Sequence, residues 1–294
     1  MSVSPLAARA LLETVTKTGG VFFVLGRTDV GKSTLVQNLV RLVTARRESV
    51  AVLDVDLGQS TYGLPTTLTL ARFTPGQEPP APELIARVFI GATSPVGHLL
   101  QTVVGCRRLL DRAASLGARS ILIDSTGLVE GPLAVEFKLQ KIEALRPTHV
   151  LALARGKELE PILQACRRRA DMTVRRLPVA SAARDRSAEE RRENRRAKYR
   201  EYFSGAALRR FALQRVAVWG RMPQPPATEL SGLLVGLNDA EGFCLGVGVL
   251  QKLTSSVVDV ITPMDASDAV RLLRFGSVAL DQAYNETLLP PRAW

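Results

Sequence analysis

Apolar residues in the first two-thirds of the chain fall into short unbroken runs. Residues 21–25, 49–54, 87–91, 120–124, 149–153 and 172–174 have strand length. Between them, residues 35–43, 96–116, 132–145 and 158–169 carry apolar positions three and four apart, which predicts helices. A continuous apolar run suits a strand buried on both faces. The alternation therefore predicts an α/β domain whose mainly parallel sheet has helices on both sides. Residues 74–82 are rich in proline and read as a surface loop. Near residue 211 the pattern changes to short β-like runs at 214–219, 233–237, 243–250 and 257–262, the first two separated by the Pro-rich stretch 221–226. Two domains are expected: 1–210, including an arginine-rich lid at about 184–204, and a small β-rich domain at 211–294.

The first strand runs directly into Gly26-Arg27-Thr28-Asp29-Val30-Gly31-Lys32-Ser33-Thr34, and a helix follows. Strand, glycine loop and helix in this order are the setting that the pattern G-x-x-x-x-G-K-[ST] requires. Such a P-loop wraps backbone N–H groups around phosphates at a helix N-terminus. Lys32 is expected to reach the outer phosphates and Ser33 to ligate Mg²⁺. Asp54, Asp56 and Asp124 stand at the predicted carboxyl ends of strands, where ligand groups collect in open parallel sheets. Asp54 and Asp124 are candidate metal ligands. Asp124 follows four apolar residues and precedes Ser125, so no adjacent Glu is there to activate water. No Asn-Lys-x-Asp element for guanine is present. An ATP-using kinase remains, with Asp56 as the candidate base for its acceptor.

Charge adds a second feature. The chain has 294 residues and a net charge of +11; residues 155–215 hold 18 Lys and Arg against 8 Asp and Glu, a net of +10. Such a concentration suits a polyanion, or a solvated helix face whose acids (Glu189, Glu190, Glu193) neutralise it locally. Within it, Arg191 and Arg195, and likewise Arg192 and Arg196, share a helix face. Guanidinium groups on a closing helix can stabilise a transferring phosphoryl group. Tyr199, Tyr202 and Phe203 are expected to anchor this helix. His98 reads as a satisfied loop histidine, His149 as structural, and Trp219 as buried between domains. Cys106, Cys166 and Cys244 are odd in number and far apart, which argues against zinc and disulfides. No run is long enough to span a bilayer, and no signal peptide is evident in residues 1–17, so a cytoplasmic protein is expected.

These elements together resemble a family. Gly-x-Thr-Asp-Val-Gly-Lys-Ser-Thr, the segment Asp54-Val55-Asp56-Leu57-Gly58-Gln59, Thr93-Ser94-Pro95 and the arginine helix closing on Tyr202-Phe203 are similar to the polynucleotide 5′-hydroxyl kinases. Residues 123–129, 138–143 and 236–239 are similar too. The resemblance implies transfer of the ATP γ-phosphate to the 5′-hydroxyl end of RNA or DNA. It implies P-loop roles for Lys32, Ser33 and Thr34, an activating role for Asp56, and placement of the substrate end or metal waters by Gln59. Thr93 and Ser94 match a loop that clasps the site; Arg191 and Arg195 or Arg196 match the lid. Because the P-loop strand lies close to residue 1, the separate N-terminal domain of eukaryotic members is not expected here. A small-molecule kinase and a nucleotide-switched nucleic-acid-binding module are the alternatives.

Overall fold

The computed structural model describes residues 11–180, 183–220, 230–265 and 267–289. The proline-rich stretch 221–226 lies outside them. Packing divides the chain into two compact units. The first comprises residues 1–56, 69–85 and 99–186; the second comprises 57–68, 86–98 and 187–294.

The first unit is built on a seven-stranded sheet. Its strands are β1 (Gly20–Gly26), β2 (Val50–Val55), β3 (Thr67–Phe73), β4 (Glu83–Phe89), β5 (Ser120–Ser125), β6 (His149–Leu153) and β7 (Thr173–Leu177), in the order β4-β3-β2-β5-β1-β6-β7. β2, β5, β1, β6 and β7 run parallel, and β3 pairs antiparallel with β2. Helices α1 (Lys32–Ala45), α2 (Leu99–Ser115), α3 (Pro132–Leu145) and α4 (Glu160–Arg167) follow β1, β4, β5 and β6. β2, β5 and β6 are buried at every position, as strands covered on both faces must be. His149 opens β6, its ring stacked 4.6 Å from that of Phe22. Register pairs Asp54 with Asp124 and Val24 with Asp124 across the three central strands. Both carboxylates thus share the sheet edge from which the P-loop leaves β1.

The second unit holds an antiparallel sheet. Its strands are β8 (Ala207–Ala212), β9 (Ala217–Val218), β10 (Leu233–Asn238), β11 (Cys244–Leu253), β12 (Val257–Thr262), β13 (Leu272–Leu280) and β14 (Glu286–Leu288), in the order β14-β13-β10-β11-β12-β8, with β9 parallel to β13. Two apolar clusters flank β10. Leu233, Val235 and Leu237 join Phe211, Val258 and Leu273; Leu234 joins Leu64, Phe89, Tyr199 and Phe203. Gly236 lies under the Phe89 ring, where a Cβ would fall 2.5 Å from Cγ. Helix α5 (Ala188–Tyr202) is capped by Ser187, whose hydroxyl accepts from Glu190 N–H while the Glu190 carboxylate accepts from Ser187 N–H.

Several expectations need correction. The change of unit falls at 186/187 rather than near 211, because α5 drives Tyr199 and Phe203 into the β-rich core. Segments 57–68 and 86–98 join that core through Leu64 and Phe89. β3, β8, β13 and β14 were not among the expected strands. Of 214–219 only Ala217–Val218 is strand, and Trp219 is 63% exposed rather than buried.

Candidate active site

The P-loop folds as its glycines allow. Gly31 caps α1 with φ 94°, and Asp29 takes φ 61°, a conformation that Asp tolerates better than most residues. Val30 tucks into the core. The loop is closed from the side by Gly127, where a Cβ would fall 2.1 Å from Thr28 Oγ1. Lys32 is buried, and its Nζ donates to Arg27 O at 2.6 Å. Burial pushes its ammonium below the usual lysine range, against the pull of Asp56, Asp124 and Asp29.

Asp54 and Asp124 are 0% and 1% exposed. Burial, reinforced by the Asp54 charge, pushes Asp124 up to about 7, while a Ser33 hydrogen bond and the Lys32 charge pull the other way. Asp124 Oδ1 is buried without a hydrogen-bond partner among the described residues. Asp56 is only half-buried, and its N–H donates to Asp54 Oδ1 at 3.4 Å. Two crowded carboxylates, one orphaned oxygen and an adjacent hydroxyl make an all-oxygen donor set. That set fits a hard divalent cation which keeps waters and phosphate oxygens as its other ligands. Among the described residues no group of three or more His, Cys, Asp or Glu could hold a metal by itself. A cation here would combine Asp124 and Ser33 with waters and phosphate oxygens.

Asp29 does more than shape the loop. Its carboxylate, with the side chain 3% exposed, accepts from Arg186 N at 2.9 Å, Nε at 2.8 Å and Nη2 at 2.7 Å. Arg27, beside it in the P-loop, pairs with Glu130 at 2.9 Å.

The other candidates lie in the second unit. A cavity of about 550 Å³ is lined by Thr93, Arg191, Arg192, Arg195, Glu286 and their neighbours. The loop carrying Thr93 and Ser94 is pinned to β13: Ser277 N donates to Gly91 O at 2.7 Å, and His98 Nε2 lies 3.1 Å from Ser277 Oγ. Arg195 grips Glu286 through Nε (2.8 Å) and Nη2 (2.7 Å). Arg196 turns aside, donating to Ala283 O at 2.9 Å and pairing with Glu193. The Gln59 amide meets α5: Nε2 donates to Arg191 O at 3.2 Å, and Oε1 accepts from Asn194 Nδ2 at 3.2 Å. Tyr199 and Phe203 anchor the helix as expected.

The expected residues thus gather in two groups. Lys32, Ser33, Asp54, Asp56 and Asp124 converge in the first unit. Thr93, Arg191 and Arg195 converge in the second, with Arg196 outside the cavity lining. Arg186, Lys138 and Glu286 were not singled out. Arg186 sits directly before the Ser187 cap, a signal that was available. Lys138 opens the 138–143 segment that resembles the family but was given no role, and nothing near Glu286 marked it.

A glycine loop between strand and helix, a buried lysine and carboxylates on the neighbouring strand ends define a P-loop nucleotide-binding fold. Residues 26–205 match the model of the mRNA cleavage and polyadenylation factor CLP1 P-loop family, and the chain belongs to that family. It is 31% identical to a polyribonucleotide 5′-hydroxyl kinase of Pyrococcus abyssi, covering 87% of this chain and 86% of that protein. It is 29% identical to one of Thermococcus kodakarensis, covering 94% and 93%. Among solved structures, Clp1p in complex with Pcf11p superposes with a TM-score of 0.69 at 14% identity, over 92% of this chain and 77% of that one. No described helix is long and apolar enough to cross a membrane.

Proposed function

We propose that this protein is an ATP- and Mg²⁺-dependent polynucleotide 5′-hydroxyl kinase. The observation that carries the reading is Asp56: a half-exposed carboxylate beside two fully buried ones, and the strongest attractive charge on the P-loop lysine. It is the acid left accessible to a substrate hydroxyl. The curated relatives, named as polyribonucleotide 5′-hydroxyl kinases over nearly their whole lengths, support the same acceptor.

The chemistry follows from the groups present. P-loop N–H groups and Lys32 hold the β- and γ-phosphates. Ser33 and Asp124, backed by Asp54, would hold Mg²⁺, which neutralises phosphate charge. Asp56 accepts the proton of the 5′-hydroxyl as its oxygen bonds to the γ-phosphorus. The bond from that phosphorus to the bridging oxygen breaks, and ADP leaves. The candidate lid arginines, Arg191 and Arg195, would supply positive charge in transfer. Thr93 and Ser94 help to hold the substrate end, and the basic helix attracts the polynucleotide backbone.

The test mixes γ-labelled ATP with 5′-hydroxyl RNA and DNA oligonucleotides of equal length. Label on an oligonucleotide 5′ end is expected and also reads sugar preference. ATP turnover with no labelled oligonucleotide would reject the reading in favour of a small-molecule kinase. Lys32→Ala altering nucleic-acid affinity in a protein that never transfers label would favour a nucleotide-switched binding module.

A further inference from the structure

Helix α3 places two lysines in the core, Lys138 and Lys141, each 0% exposed. Taking an ammonium out of water costs free energy that an apolar side chain at the same place would not. The two are used differently. Lys138 Nζ donates to Thr126 O at 2.5 Å, Thr126 Oγ1 at 3.0 Å and Ser125 Oγ at 3.2 Å, so three donors meet three acceptors on one turn. Lys141 Nζ lies 5.3 Å from the Phe137 ring, with its charge beside the Cys106 thiol.

The turn that Lys138 grips is the exit of β5. Asp124 precedes it, and Gly127, the residue packed against Thr28, follows it. Ser125 Oγ also donates to Val24 O at 2.7 Å, tying the turn to the strand that carries the P-loop. A single lysine Nζ on α3 therefore fixes the segment between a candidate metal ligand and the side wall of the P-loop.

We infer that Lys138 is a positioning residue: through Ser125 and Thr126 it holds the end of β5, so that Asp124 stays beside Ser33 and Gly127 stays against Thr28. This rests on the reading that Asp124 and Ser33 hold the metal ion. Lys138 touches no substrate; its effect passes through the turn.

The experiment compares Lys138→Met with Lys141→Met in the full chain. ADP binding is measured by calorimetry without metal and across a Mg²⁺ titration, alongside 5′-hydroxyl transfer kinetics. Lys138→Met is expected to raise the Mg²⁺ concentration needed for tight ADP binding, and to lower kcat, by about 10- to 100-fold, the usual loss when a residue supporting a metal ligand is removed. Metal-free ADP affinity falls far less than the Mg²⁺-dependent affinity, and KM for the oligonucleotide stays unchanged. Lys141→Met leaves the Mg²⁺ dependence native. An unchanged Mg²⁺ dependence in Lys138→Met overturns the inference. So does an equal shift in Lys141→Met, which would mean general loosening of the core. If Lys138→Met does not fold, Thr126→Val, which removes one acceptor, must shift the Mg²⁺ dependence in the same direction; a native titration there overturns the inference as well. A wild-type protein that binds ADP with Mg²⁺ yet never labels an oligonucleotide rejects the kinase reading, while calorimetry still decides the role of Lys138.

Discussion

Two sets of acidic side chains, one in each unit, are handled in opposite ways. In the first, Asp54, Asp56 and Asp124 crowd around one buried lysine, and Asp124 is driven up to about 7 because its nearest strong influences are burial and another carboxylate. In the second, acids meet guanidinium groups in pairs. Glu286 is held by Arg195 and Asp259 by Arg210, which keeps the Asp259 carboxyl below its usual range. Each of these two acids is matched by a guanidinium, while the cavity beside Arg195 keeps further positive charge from Arg191 and Arg192. The first set leaves excess negative charge in a dry place, where a cation and a chemical task are the natural complements. The contrast separates acids that must receive a countercharge from outside from acids already paired within their own unit.

The strongest way to break this contrast is to remove the one accessible acid of the first group. Asp56→Asn is expected to lower oligonucleotide phosphorylation by about 10²–10⁴-fold, the usual contribution of a positioned proton acceptor. ATP binding should survive, because Lys32 and the P-loop backbone are untouched. Near-normal turnover, measured by label transfer, would remove Asp56 from the mechanism. Next comes the arginine helix. Arg195→Ala and Arg196→Ala together are expected to slow transfer by about tenfold or more. Since Arg195 lines the cavity and Arg196 does not, Arg195→Ala alone should carry most of that loss. Equal effects from the two single variants would break the assignment of Arg195 to the cavity.

The same contrast explains what the sequence revealed. Parallel strands buried on both faces leave unbroken apolar runs, so β1, β2, β5 and β6 were legible within a residue or so, as was α3. The P-loop was legible because its backbone geometry needs Gly31 and its chemistry needs Lys32. Antiparallel strands with one face more open carry a mixed pattern. β8 reads Ala-Leu-Arg-Arg-Phe-Ala and buries only Phe211 fully, so no apolar run marks it. β14 is three residues long, too short for any periodicity. Glu286 was invisible for that reason, and with it the fate of Arg195. Segments 57–68 and 86–98 gave no sign of leaving the first unit, because Leu64 and Phe89 look like any core residues. Which core they enter is decided by tertiary packing.

A third test sharpens the electrostatic side. Asp124 must lose its proton before it can hold a cation. Below about pH 7 the apparent Mg²⁺ affinity, read with bound ADP, is therefore expected to rise with pH, about tenfold per unit for one released proton, and to level off above it. The metal-free protein should show the reverse trend in stability. A carboxyl whose folded-state pKa is raised contributes most at acid pH, and that contribution is lost as pH rises through about 7. Asp124→Asn should flatten both curves and raise metal-free stability at pH 8. A Mg²⁺ affinity independent of pH in the wild type would mean that Asp124 is already ionised without metal.

The smallest expected effect concerns a buried acid of the first unit that is already paired, Asp29. Asp29 takes three hydrogen bonds from Arg186 at 2.7–2.9 Å, with its own side chain only 3% exposed. Arg186→Ala is expected to cost about 1–2 kcal/mol, toward the low end for bonds to a charged group, because the arginine side chain is 39% exposed and partly screened. Its backbone N–H still reaches Asp29, which limits the loss. The pair between Arg192 and Glu189 spans 3.3 Å with both side chains more than half exposed, so Arg192→Ala should cost about 0–0.5 kcal/mol. Urea unfolding of the two variants, with m-values held constant, measures the difference. Equal losses would show that burial of the Asp29 carboxylate adds nothing to the pair. A larger loss for Arg192 would mean that the charged face of α5, rather than the pairing at Asp29, carries the stability of this segment.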